Sequence, residues 1–307
     1  MVVGTGTAIR RKSAVVAHEN RAGWLFAAPA ALGLALFTLW PMMASLYYSF
    51  TNLTISGKAS FVGLANYRNM FSGNDLYFYH SLGVTARYVL YSVPLKIAYS
   101  FLLAMLLNQS VRGKSVFRTI FYLPTIVPSV AISMIWMWLL NPDLGLVNEI
   151  LRSFNLPTSK WIYAKDTVIQ SLAFMSMWTT GTITVVFLAG LQDIPRHLYE
   201  ATSLDGGNAW SKFRHVTVPL MTPTIFFNLC TTLIGSFQVF SEAYIMTGGG
   251  PDNASLFYVF YLYREAFTYS RMGSASAIAW VLFIIIMAVT ALVFKTSDRW
   301  VFYEGGR

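Results

Sequence analysis

Few residues in this 307-residue chain have types and spacing suited to covalent chemistry. The four histidines, His18, His80, His197 and His215, are dispersed and form no His-Glu-x-x-His pattern or other metal-ligand spacing. Cys230 is the single cysteine, which excludes an internal disulfide and a Cys-based metal cluster. No Gly-x-Ser-x-Gly elbow presents a nucleophile. The nearest approach to a phosphate-binding loop runs from Gly206 to Lys212. It lacks the second glycine, and Phe213 stands where Ser or Thr would be needed. Asn52-Leu53-Thr54 and Asn253-Ala254-Ser255 match glycosylation acceptors, a three-residue pattern that arises readily by chance. The chain reads as no enzyme, with no catalytic residue, no metal and no cofactor of its own.

What remains is charge placed inside long apolar stretches. An ionisable side chain at the centre of a membrane helix costs at least ~2.5 kcal/mol, so each one needs a partner or a role. Three qualify: Arg87, Lys96 and Glu242. Arg87 and Glu242 each lie about five residues from the outer end of their stretch, or ~7 Å deep, so an ion pair between them is geometrically possible. Lys96 lies too deep to reach either surface. It is expected to face protein or a water-filled cavity, bonding carbonyls freed by Pro94 in preference to touching a ligand.

The elements that must position these groups are membrane helices. Hydrophobic residues make up 55% of the chain and charged residues 11%, against about 25% charged in a soluble domain. Six stretches meet the ~20-residue length a span needs: 23–50, 82–107, 116–140, 168–190, 220–246 and 273–294. Pro29, Pro41, Pro94, Pro124 and Pro128 inside them imply kinked helices packed against protein. The first stretch exceeds a secretory h-region of ~7 to 15 residues and is read as a retained span.

The net charge of +9 is scattered beside apolar runs without a dense basic stripe, which excludes nucleic acid as a partner. With the amino end inside, 13 Lys and Arg fall in inner segments, including Arg10, Arg11, Lys12, Arg21 and Arg307. Only 7 fall in outer segments, among them Lys58. This bias predicts two cytoplasmic termini. Tyr47, Tyr48, Trp136, Trp138 and Trp300 fit interfacial belts. The expected fold is an all-α, multi-pass integral membrane protein of six transmembrane helices. It comprises a cytoplasmic segment 1–22, a six-helix domain 23–296 that includes the inner loop 191–219, and a cytoplasmic tail 297–307.

That inner loop reads as two short helices around a glycine turn. Asp193 is expected to cap the first, Pro195 to occupy its first turn, and Leu198, Ala201, Thr202 and Leu204 to form its less polar side. Asp205-Gly206-Gly207 breaks it, and Asn208 caps a second helix carrying Trp210 and Phe213, before Pro219 begins span five. Physics alone leaves two readings open: a knob inserted into a cytoplasmic partner, or a hairpin lying on the bilayer.

Glu200-Ala201-Thr202, Asp205-Gly206-Gly207, Phe213, Val216 and Val218-Pro219 resemble the EAA loop of binding-protein-dependent ABC importer permeases. Thr202 stands where a second alanine is usual, and Gly207 where alanine commonly follows the glycine. Further segments are similar to the carbohydrate-uptake branch: Phe61 to Tyr67, Phe117-Arg118-Thr119 with Leu123-Pro124, Phe187 to Leu191, Thr247 to Pro251, and Arg299 to Glu304. The resemblance covers nearly the whole chain after the first twenty residues.

It implies the type I importer permease fold in the cell membrane, with Glu200, Ala201, Thr202, Leu204, Asp205, Gly206 and Gly207 docking in an ATPase cleft. The implied partners are a second, different permease, an ATPase homodimer or heterodimer carrying ATP and magnesium, an extracytoplasmic solute-binding protein and a sugar-like solute. The Thr-Gly-Gly-Gly-Pro loop resembles that of the first of two permeases in sugar and glycerol-3-phosphate importers. Sugars are held by aromatic faces and hydroxyl-directed polar groups. Phe237, Gln238, Phe240, Ser241 and Tyr244 in span five and Trp178, Thr179 and Thr180 in span four are the candidates, Gln238 first because the resemblance points to its segment. Competing readings are a permease for a non-sugar solute, a secondary transporter, which needs more buried acidic groups than Glu242, and a membrane enzyme, which needs a His, Asp or Glu cluster.

Overall fold

The computed structural model describes residues 23–302, apart from 58, 74, 110 and 111. Arg10, Arg11, Lys12, His18, Arg21, Lys58, Tyr303, Glu304 and Arg307 lie outside the described residues. Every regular element among those described is helical; two residues, Thr51 and Phe61, meet in an isolated bridge.

Four helices are long and apolar enough to cross a bilayer singly: Gly23–Ser49, Leu76–Asn108, Ala209–Phe237 and Met272–Ser297. Two bent pairs complete the six spans: Lys114–Ile126 with Ser129–Leu139, at 101°, and Val168–Thr179 with Gly181–Asp193, at 53°. The boundaries differ from the hydropathy pattern where a polar side chain decides them. The second span starts six residues early, at Leu76, because Asp75 Oδ1 accepts from the amides of Tyr77 and Phe78 at 3.0 and 3.2 Å.

Proline breaks the third span. Pro128 disfavours the helical region for the residue before it, and Val127 accordingly takes an extended conformation at ψ 134°. The fourth span breaks without proline. Ser176, Thr179 and Thr180 hydroxyls each donate to the carbonyl three residues back, on Ala173, Ser176 and Met177. Such back-bonding tightens the last turn to a 3₁₀ helix over Ser176–Thr179. Gly181 restarts the helix so close to the third span that a Cβ there would lie 2.3 Å from Thr125 Oγ1.

The second span is the central post. It packs on the fourth, on the fifth and on the outer helix Tyr258–Tyr263. Two apolar clusters result. One gathers Tyr88, Phe257, Tyr258 and Ile278 toward the outer loops; the other gathers Leu103, Phe187, Leu191 and Met221 above the loop between spans four and five. The first span contributes nothing to either: it lies against the last span, with Phe26 and Phe37 fully outward at 89% and 82% exposure. Its outer end is clamped instead. Gly273 donates to Leu53 O at 3.0 Å, and Asn66 Nδ2 bridges the carbonyls of Ser49 and Thr51 at 2.8 Å each.

Candidate functional site

The fifth span ends at Phe237, where Gln238 caps it through a 3.1 Å bond to Gly235 O, and helix resumes at Ser241 and Glu242, running into the π-helical turn Ala243–Thr247. This break faces the break in span four. Between them and the second span lies a cavity of about 330 Å³, lined by residues that include Tyr88, Lys96, Ser176, Thr179, Thr180, Thr232, Gln238, Ser241 and Glu242. The volume lies in the ~300 to 1,000 Å³ range of small-molecule sites. Its wall mixes amide, hydroxyl and charged groups with the apolar side chains of Ile183, Val239 and Phe240.

Of the sequence candidates, Gln238, Phe240, Ser241, Thr179 and Thr180 therefore meet in one place. Phe237 is buried in the outer apolar cluster. Tyr244 stacks on Phe240 at 5.3 Å between ring centres, outside the cavity lining. Trp178 packs edge-on to Trp136 and lines a separate apolar pocket at the bend of span three. Tyr88, Ser176 and Thr232 join the cavity without having been singled out by spacing. Thr232 Oγ1 is buried and finds no hydrogen-bond partner among the described residues.

The geometrically possible pair of Arg87 and Glu242 is not among the ion pairs of the described residues. Arg87 and Lys96 are nine positions apart on one helix, about 180° around its axis, so one residue's approach to the cavity turns the other away. Lys96 is the one that lines the cavity with Glu242; Arg87 is exposed and its Nε donates to Gly83 O at 3.3 Å. Nor does Lys96 bond a carbonyl freed by Pro94. Its ammonium lies 5.9 Å from the centre of the Tyr88 ring.

The loop between spans four and five is the second candidate site. The fourth-span helix runs through Asp193, so Asp193 caps nothing. Pro195 holds the cap position of the next helix, Arg196–Leu204, and forces Ile194 extended. That helix closes in a Schellman motif: Gly206 donates to Ser203 O at 3.1 Å and Gly207 to Thr202 O at 2.8 Å. Gly206 takes φ +79°, which only glycine adopts cheaply. Asn208 Oδ1 then accepts from Ser211 N at 2.9 Å and starts the fifth-span helix.

Leu198 and Tyr199 pack on the inner apolar cluster, and Tyr199 Oη meets Thr217 Oγ1 at 3.0 Å. The other face is free. Glu200, Ala201 and Asp205 are exposed, Leu204 is 89% exposed and Trp210 64%. The expected single apolar side therefore divides: Leu198 anchors the helix, while Ala201 and Leu204 point away from the body.

On the opposite end of the molecule, Glu265 is buried beside Arg271 at 3.6 Å, and Tyr261 donates to Asp75. Burial pushes the Glu265 carboxyl above its ordinary range, against the pull of Arg271 and with a push from Asp75. No group of three or more His, Cys, Asp or Glu suited to a metal occurs among the described residues.

A family model described as "Binding-protein-dependent transport system inner membrane component" matches residues 71–302. The probable ABC transporter permease protein YesP of Bacillus subtilis is 38% identical over 307 residues, 99% of both chains. The arabinooligosaccharides transport system permease protein AraP, also of Bacillus subtilis, is 32% identical over 283 residues, 91% of this chain and 89% of its own. A chain in the crystal structure of a bacterial alginate ABC transporter, in complex with an alginate pentasaccharide-bound periplasmic protein, shares the fold. Its TM-score is 0.79 at 20% identity, covering 92% of this chain and 96% of that one.

Proposed function

The chain belongs to the family of binding-protein-dependent transport system inner membrane components, and we propose that it is the first of two different permeases in an ATP-driven sugar importer. The observation that carries this reading is the bent loop. A short helix anchored by Leu198 and Tyr199 presents Ala201 and Leu204 outward, and its exit is fixed by the Gly206-Gly207 turn. A rigid, apolar-tipped knob is what a membrane protein needs to receive force from a partner.

In this reading both termini and the loop lie in the cytoplasm, the solute-binding protein docks outside, and ATP and magnesium belong to a separate ATPase. Closure of the ATPase pulls the knob and shifts the spans between two states, so that the cavity at the breaks opens to either side in turn. The sugar assignment draws on the hydroxyl and amide wall around Gln238 and on the name of the arabinooligosaccharide relative.

The test is assembly and transport. Co-expressed with its second permease and ATPase, the chain should purify as one complex and, with the binding protein, import oligosaccharide into ATP-loaded proteoliposomes. Uptake driven by an ion gradient with no ATP would overturn the reading in favour of a secondary transporter.

A further inference from the structure

Lys96 and Glu242 line the same cavity, yet neither side chain makes a hydrogen bond or ion pair with any described residue. Two opposite charges left apart across one partly buried cavity attract each other, and a solute that fills it displaces the water that would otherwise solvate them. Something small and polar between them would satisfy both. An ammonium offers three donors and no acceptor; a carboxylate offers only acceptors. A vicinal diol matches this pair, since one hydroxyl oxygen accepts from Lys96 while its neighbour donates to Glu242. Thr232, buried with an unpartnered hydroxyl, and Gln238, at the end of the broken helix, add a donor and an acceptor each to the same wall.

The charges of this wall also cancel. An anionic solute seated on Lys96 would bring its own carboxylate into a 330 Å³ space that already holds Glu242, where like charges repel strongly. We infer that Lys96 and Glu242 act together as a diol clamp that selects neutral saccharides over uronic-acid-bearing ones. The inference rests on the importer reading and adds to it the charge class of the solute. It also assigns Lys96 to solute contact.

Binding of neutral arabino- and malto-oligosaccharides and of oligogalacturonides to the purified permease–ATPase complex, without binding protein, isolates the cavity. Lys96→Gln and Glu242→Gln should each weaken the neutral ligand by about tenfold, and the double variant should lose little more than either alone. Lys96→Arg, which keeps the cation, should stay within about threefold. Glu242→Gln, leaving Lys96 unopposed, should bind oligogalacturonide about tenfold more tightly than the unaltered chain. Where a neutral variant fails to assemble, Glu242→Asp is read in its place for loss of reach.

Additive losses, equal affinity of the unaltered complex for both ligand classes, absence of saccharide binding or no gain for the anion would each overturn the clamp. ATP-driven uptake by the unaltered importer is measured alongside. If it persists while selectivity fails to move, the clamp alone is wrong; if no saccharide is imported, the importer reading falls and the clamp with it.

Discussion

Thr202 and Gly207 fit each other at the bend of the inner loop. A Cβ at Gly207 would lie 2.6 Å from Thr202 Cγ2 and 2.7 Å from Thr202 O. These are the two positions where the chain departs from the alanines of the EAA pattern it resembles, and the methyl that Thr202 adds occupies room that an alanine at 207 would claim. The departures compensate. Gly207→Ala should strain the turn by ~1–3 kcal/mol and reduce coupled uptake several-fold. Combined with Thr202→Ala it should recover part of the loss, the carbonyl contact being left. A double-mutant cycle on ATP-driven uptake measures the coupling, and strict additivity would show that the two positions ignore each other.

Leu204 marks the docking face. With the only native cysteine, Cys230, buried, a Leu204→Cys variant offers a single accessible thiol at an 89%-exposed site. It should cross-link to a cysteine in the ATPase cleft in membranes, and a Leu198→Cys variant, whose position packs on the body, should not. Equal labelling at both positions would argue against a docked knob.

Gly273 sits where span six meets the turn after span one, and a Cβ there would approach Thr51 O to 2.0 Å. The contact is backbone, so no rotamer change relieves it. Gly273→Val should lower stability by ~1–3 kcal/mol or more and the thermal midpoint in detergent by a few degrees. An unchanged midpoint would mean that the turn does not bind the last span.

The outer loop should loosen with rising pH. Glu265 has a folded-state value raised above the ordinary 4.5 by burial, with Arg271 opposing. Folding therefore favours its neutral form. That contribution is complete below the ordinary value and is lost as pH climbs through the higher folded one. Hydrogen-exchange protection of residues 264–271 should fall across that interval, and Glu265→Gln should flatten the profile.

Legibility varied with the range of the force involved. The glycine turn and the Asn208 cap were readable because each is decided by one residue and its neighbours. Asp193 misled: its cap role competed with the proline at 195, which fixes Ile194 extended and leaves Asp193 inside the preceding helix. Span positions followed from apolar length, but the breaks at Thr180 and Gln238 did not, since an apolar run scores the same whether straight or interrupted.

Arg87 and Lys96 show the cost of reading depth without rotation. Depth alone matched Arg87 to Glu242, whereas the nine-residue offset turns only Lys96 toward the cavity. The helical phase of those two charges, read against the pattern of buried Tyr88 and Ser92, was in the sequence; the placement of Glu242 beyond a broken helix was not.

Broken spans interrupt the regular helical hydrogen-bond ladder near Val127, Thr180 and Gln238. An oily layer tolerates bare carbonyls and amides only where water or neighbouring chain meets them. The polar thread through this molecule is therefore written in main chain, beneath the level at which side chains are exchanged. Changing Gln238 or Thr232 retunes what passes; restoring unbroken helix at those three points would plaster the doorway shut while leaving every wall around it standing.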